Sequence, residues 1–522
     1  MIRSENPPLT RVERVALIVA LALAVLLMWP VRGYLTDDTF IHLQYAKHLA
    51  AGHGLVFNVG ERVYGCTSPL WVALIADGMS LGLDGLMVAR VLGFAATLAS
   101  IGLFLQLMRR NLRVPELRAL ATVTWAGHAW MLRWSMSGME TPLAVALTLA
   151  GFVAFTEGRQ WGARPVRTGA LWALAALTRP EAVFLLILWG LFLIVDTETR
   201  EGLRRLVFGI VAPSVIYGGW LLFARTYFGT FWPQTLAAKA AGGGGLLYRL
   251  DELWRQVRIV GASDGLLALV LVLALVFGGR HLWPRHMMAQ RLVPWAWLLG
   301  VPALYVARGV PVLSRYLLPL LPVLAWLAWR AAEHWWVGAW GPEDPPPPSR
   351  RLQRAIVLGV VVSAFTLAQN LVVYRSVVLP QVNSFSAGLS GSLVPWGQWF
   401  RANSAPGTTI AAPDIGAIGY YSERRVLDLA GLVSPRVVPL LRRESPEDMI
   451  ARLDFAGIAR PEYLVDRAAR PYDLLQRSPY ASRLTPLGQA SVPNLGVTRP
   501  TPAVYSFYRV DWTGFDSLAT PR

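Results

Sequence analysis

Residues 15–30 read VALIVALALAVLLMWP, and residues 265–278 read GLLALVLVLALVFG, two runs without a charged side chain. A helix that crosses a bilayer needs about 20 mainly apolar residues, because every backbone N–H and C=O must be satisfied within the segment. Runs of this kind recur along the chain and suffice for roughly ten or more crossings. The composition agrees: of 522 residues, 54% are hydrophobic and only 16% charged, with a mean hydropathy of +0.42. A soluble domain carries charge on about 25% of its residues, so this chain lacks the polar surface for solubility. The reading is a mainly α, polytopic bundle of membrane helices.

The net charge of +17 does not indicate a nucleic-acid partner. The arginines fall in short loops between apolar runs, where the positive-inside rule places them, and no basic recognition module accompanies them. Of the 49 basic residues only Lys47 and Lys239 are lysines; codon usage that favours arginine accounts for most of that skew. The single cysteine, Cys66, excludes an intrachain disulfide. No small-residue cleavage site follows the first run, so residues 15–29 are expected to stay as the first span.

Arg3, Arg11 and Arg14 put the N-terminus in the cytoplasm and the first loop, 32–68, outside. The Arg109, Arg110, Arg113 and Arg118 cluster belongs inside, which leaves one full span, 86–108, between loop and cluster. The segment 69–81 is then a re-entrant or surface-lying helix. Spans are expected at 119–133, 142–155, 169–177, 182–195, 206–223, 266–278, 293–306, 317–329 and 355–373. The total is about eleven, an odd number that leaves the C-terminus outside. From about residue 391 short apolar runs at 408–411, 425–429, 463–465 and 503–508 have the length of strands, with helical stretches at 446–453 and 472–476. The expected organisation is a transmembrane domain over 1–375 and a small extracytoplasmic α/β domain over 391–522.

With sides assigned, five polar motifs fall at the outer ends of spans: residues 36–39 (TDDT), 137–142 (SGMETP), 178–181 (TRPE), 231–235 (FWPQT) with Lys239, and 314–316 (SRY). Charged groups near a bilayer are costly unless paired or hydrated, and their concentration at one face points to a pocket. Each motif also has a plainer role. Asp37 and Asp38 begin a helix, and one of them is expected to cap its N-terminus; two adjacent carboxylates exceed that need, which favours a base or a cation ligand. Glu140 can cap the helix that follows it. Arg179 and Arg315 can anchor lipid headgroups. His42 and His48 read as helix-face residues, since no partner has ligand spacing. The glycine run 242–245 reads as a hinge without the strand and helix that flank a phosphate loop.

These motifs resemble a known family. DDTFI at 37–41, Tyr45-Ala46, GHGLVFN at 52–58 and YGCTSPLW at 64–71 are similar to the first outer loop of the GT-C superfamily of membrane glycosyltransferases, which use lipid-linked sugars. The nearest branch is that of the mycobacterial terminal arabinofuranosyltransferase. SGMETPL at 137–143, LTRPE at 177–181, YFGTFWPQTLAAK at 227–239 (where relatives carry Asn at the position of Gln234), SRYLLP at 314–319 and DIGAIGYY at 414–421 with DLAGL at 428–432 resemble its later motifs.

The resemblance implies sugar transfer from a polyprenyl-phosphate donor to a glycan or glycolipid acceptor at the outer face of a bacterial plasma membrane, with inversion. It implies Asp37 as the base, with Asp38 as the alternative, and Arg179, Lys239 and Arg315 as cations for the leaving phosphate. Glu140, Lys47, His53, Gln234 and Tyr316 are the further candidates for binding substrate. A divalent cation (Mg, Mn or Ca) at Asp38 and Glu140 is left open, since a donor with one phosphate does not require a metal. The rival is a membrane transporter or flippase of envelope precursors, which predicts interrupted, repeated helices with polar groups near the midplane; no repeat is visible here. Glycan ligases, polymerases and protein O-glycosyltransferases remain within the enzyme reading.

Overall fold

A computed structural model describes residues 8–157, 162–195, 200–235, 245–278, 288–338, 348–493 and 502–515. The chain divides into two compact units. The first comprises Met1–Arg32, Arg90–Trp220 and Gly244–Leu379; the second comprises Gly33–Ala89, Leu221–Gly243 and Pro380–Arg522.

The first unit is helical. Among the described residues five helices are long and apolar enough to cross a membrane: Arg11–Val31, Gly85–Asn111, Gly202–Phe228, Leu246–Phe277 and a helical stretch over Ser349–Asn403. Three shorter apolar helices of this unit, Thr141–Phe155, Pro180–Val195 and Leu292–Arg308, accompany them, and a fourth, Pro69–Ser80, lies in the second unit. Helix Arg11–Met28 is started by a capping box, Thr10 and Glu13 each bonding the other's backbone N–H. Glu13 is fully buried and pairs with Arg118 at 2.9 Å and Arg109 at 3.4 Å. The start of the first helix and the first basic cluster therefore share one end of this unit. Glu333 tightens the same loop by accepting the N–H groups of Arg113 and Val114, both at 2.8 Å.

Among the departures from the expected spans, two are linked. The segment 119–133 is broken at Gly127–His128 into Pro115–Ala126 and Ala129–Ser135. The helix expected over 266–278 begins at Leu246 and kinks at Asp264, whose φ of −121° is not helical. The breaks are joined: His128 Nε2 lies 2.9 Å from Asp264 Oδ2, and Asn370 accepts from the N–H of Ala129 while donating to the carbonyl of Ser263. Backbone groups freed inside an apolar bundle need such partners.

The second unit carries a five-stranded sheet built of β1 (Thr409–Ala412), β2 (Arg425–Asp428), β3 (Tyr463–Ala468), β4 (Leu484–Val492) and β5 (Ala503–Val510), in the order β2-β1-β3-β5-β4. β1 runs parallel to β2 and β3; β5 runs antiparallel to β3 and β4. Four strands lie where short apolar runs predict them. Short apolar runs do not predict β4, because its sequence, LTPLGQASV, contains a proline and a glycine, and the register slips at Pro486/Gly488. Leu427, Leu464, Met449, Phe455, Leu474 and Tyr508 form the core under the sheet.

The first-loop segment belongs to this unit. Helix Asp37–Ala50 packs on helix Pro69–Ser80, whose 12 residues rise about 18 Å, too short for a crossing. Asn58 acts as an extra rung on β2, the sheet edge: its side chain donates to the carbonyl of Val426 at 2.9 Å and accepts the Val426 N–H at 3.0 Å. Phe40 lies against the rings of Tyr420 and Tyr421.

Candidate active site

The candidate residues fall into two groups, one in each unit. In the second unit, Thr36, not either aspartate, caps helix Asp37–Ala50, its hydroxyl accepting the N–H of Thr39 at 3.2 Å. The capping role expected for Asp37 or Asp38 is thus taken by the threonine before them. Asp37 instead turns its carboxylate onto the start of helix Gly416–Ser422, accepting from the N–H of Gly416 and of Ala417, both at 2.8 Å. Gly416 is required: a Cβ there would stand 1.9 Å from the Asp37 carbonyl oxygen. Burial, then the nearby charge of Asp414, push the Asp37 carboxyl up to about 7 against the pull of the two N–H donors; Asp38 adds to the push. Asp37 nonetheless keeps part of its surface open, as does Asp38 beside it.

Asp414 is itself held. Arg467 reaches both its oxygens from one nitrogen, at 2.9 and 2.7 Å, and the hydroxyl of Tyr505 donates to it at 2.7 Å. Lys47 points away from this cluster. Its Nζ pairs with Glu423 at 3.1 Å and lies over the Tyr420 ring, tying helix Asp37–Ala50 to the far end of helix Gly416–Ser422. His53 is exposed, its ring 6.0 Å from that of His48. Gln234 donates its backbone N–H to the carbonyl of Tyr64 at 2.8 Å, and Tyr64 stacks on Phe228. Lys239 lies outside the described residues.

In the first unit three motifs distant in sequence meet. The turn 137–140 is shaped by Ser137, whose hydroxyl donates to Trp134 O and accepts the Met139 N–H, and by Gly138 at φ 78°, which suits glycine alone. It delivers Glu140 to the start of helix Thr141–Phe155, where its side chain makes no cap. Arg179 is extended (φ −145°, ψ 130°) because Pro180 follows it. Its guanidinium donates to Glu140 at 2.7 Å and to Glu181 through Nε at 2.9 Å and through Nη2. Tyr316 lies under both Arg179 and Arg315, at 5.0 and 5.3 Å, and Arg315 also faces the Trp134 ring and Met139. Glu140, Arg179 and Arg315 are 3%, 5% and 8% exposed. Two carboxylates and two guanidinium groups thus stand together out of water, and aromatic faces carry the cations.

Among the described residues no three His, Cys, Asp or Glu side chains gather as metal ligands would. Glu140 is engaged by Arg179, which competes with a cation there.

Several contributors had no role assigned from sequence. Glu181 and Asp414 stand inside the motifs, and their charge was the available signal. Arg467, Tyr505, Trp134 and Tyr305, which stacks on Tyr316, sit in segments that carry no local signature.

Residues 387–508 match a family described as a domain of unknown function, DUF8728. The chain is 30% identical over 239 residues to the terminal β-(1→2)-arabinofuranosyltransferase of Mycobacterium tuberculosis, a match covering 42% of this chain and 38% of that one. It is 27% identical over 297 residues to the enzyme of the same name from Corynebacterium glutamicum, covering 47% and 40%. The chain thus spans about two fifths of the length of these relatives. In structure it is similar to ArnT from Cupriavidus metallidurans bound to undecaprenyl phosphate, with a TM-score of 0.56 at 14% identity, over 97% of this chain and 99% of that one.

Proposed function

We propose that this chain, which has the fold of the GT-C membrane glycosyltransferases and is similar in sequence to the terminal arabinofuranosyltransferases, transfers a sugar from a polyprenyl phosphate to a hydroxyl of an envelope glycan or glycolipid. Arabinofuranose is the sugar that the likeness favours. The observation that carries the reading is the Asp37 carboxylate, fixed by two N–H groups at 2.8 Å and pushed up to about 7. A base works best when its proton affinity lies near the working pH.

In the reaction Asp37, or Asp38 beside it, takes the proton of the acceptor hydroxyl. The acceptor oxygen attacks the anomeric carbon, the bond from that carbon to the phosphate oxygen breaks, and polyprenyl phosphate leaves with the electron pair, inverting the centre. Arg315, Arg179 and Lys239 are offered to the growing phosphate charge. Glu140 and Glu181 hold Arg179 in place for that task. Tyr316, Gln234, Lys47 and His53 are offered to sugar hydroxyls. Residues 1–375 serve as the membrane domain, with about eleven spans, and residues 391–522 as an extracytoplasmic domain, the N-terminus lying in the cytoplasm.

The test is purified protein in nanodiscs with a panel of polyprenyl-phosphate sugars and glycan acceptors, donor consumption being followed by mass spectrometry. Turnover of one donor, abolished in Asp37→Asn or Asp38→Asn, names the sugar. Altered solute uptake on deletion, with no donor consumed, would move the chain to the transporter class.

A further inference from the structure

Asp37 lies against a preformed piece of backbone. Asp414 stands two residues before Gly416, at the end of β1, so Asp414, Ile415 and the two N–H groups that grip Asp37 belong to one short turn between strand and helix. The turn is pinned at its first residue from two neighbouring strands: Arg467 of β3 donates to both oxygens of Asp414, and Tyr505 of β5 donates to one of them. It is pinned at the other end by the close approach of Gly416 to the Asp37 backbone. The charged and titratable groups facing Asp37 are Asp38 on its own helix, Asp414 on the turn and Tyr505 on β5, with Arg467 behind Asp414.

We propose that Asp414, held by Arg467 and Tyr505, is a positioning residue for Asp37: it fixes the turn that orients the Asp37 carboxylate and sets a second carboxylate near it. The proposal rests on the reading of Asp37 as the base and assigns the sheet domain a part in the chemistry. Arg467 donates to both Asp414 oxygens, a charge-assisted pairing that suits a carboxylate. The carboxylate's charge opposes ionisation of Asp37, while the two N–H groups limit the opposition, so Asp37 can both take a proton and give it up.

The test reads the protonation of Asp37 without needing turnover. Full-length protein in nanodiscs is treated with a carbodiimide and an amine, which modify protonated carboxyls. Labelling of Asp37 is followed against pH by peptide mass spectrometry, with the exposed Asp77 as reference. The midpoint for Asp37 is expected near 7. Asp414→Asn removes the facing charge and lowers the midpoint by about one pH unit. Asp414→Glu restores it. Arg467→Gln leaves the Asp414 charge uncompensated and moves the midpoint upward. Loss of fold would send all three variants toward an ordinary carboxylate, whereas the proposal requires opposite signs. An unchanged midpoint in Asp414→Asn, equal shifts in Asp414→Asn and Asp414→Glu, or no labelling of Asp37 at any pH would overturn it. Where a donor is turned over, the acidic limb of kcat/KM follows the same shifts. Where none is, shifts of the stated signs keep Asp414's action on Asp37 and remove the transferase reading.

Discussion

At Asp37 two effects of opposite sign meet: burial and like charge raise its proton affinity, and backbone N–H groups lower it. The sum, about 7, lies well above the value of about 4 of an unfolded aspartate. Between those values the folded chain holds this proton more tightly than the unfolded one. The stability this contributes is complete below about pH 4 and is lost as pH rises through about 7. Asp37→Asn is expected to remove that dependence, so its melting temperature gains on the parent as pH rises across this window; thermal unfolding in detergent at several pH values checks it. The same substitution is expected to cost about 10²- to 10⁴-fold in turnover. Gly416→Ala cannot keep the present geometry, since its methyl would overlap the Asp37 backbone. A loss of about 1–3 kcal/mol is expected from denaturant unfolding.

Helices and strands carry their own tests. Arg179 joins the end of helix Pro165–Thr178 to the start of helix Thr141–Phe155 through Glu140. Removing it takes a guanidinium from between two buried carboxylates, so Arg179→Ala is expected to cost about 3–5 kcal/mol. Glu140→Gln, which keeps a hydrogen-bond acceptor and leaves Glu181 in place, should cost less, and thermal melts of the two variants check the order. At the sheet edge, Asn58→Ala strips both backbone groups of Val426 of their partner, with an expected loss of about 1–3 kcal/mol. The element boundaries read from sequence erred where a helix was half apolar and half polar, as in Leu246–Gly278. There hydropathy marks only the apolar half, while hydrogen bonding continues the helix beyond it. They erred again at β4, where Pro486 and Gly488 oppose strand propensity and pairing with β5 holds the segment extended.

For the whole molecule, a multi-pass membrane protein, the orientation proposal has a direct check. The one cysteine, Cys66, is buried, so cysteines placed singly report their own side. In intact cells Asp448→Cys should react with a membrane-impermeant maleimide, and Arg113→Cys only after permeabilisation; the reverse pattern would invert the topology. The membrane character, most helices, four of the five strands and the polar motifs were legible from residues alone, because apolar runs and turn residues act over windows shorter than one element. Local spacing also marked Asp37, Glu140, Arg179 and Arg315 as unusual. It did not indicate what each would touch. Asp37 meets Gly416 across 379 residues and Glu140 meets Arg179 across 39, and a contact between such distant segments leaves no period in the sequence. Tertiary structure alone decided that Thr36 caps the helix, that Asp37 faces a turn of the sheet domain, and that Arg179 is held between two carboxylates. The physical reason is that burial, like charge and N–H donors act through space on each group, and the fold selects those neighbours.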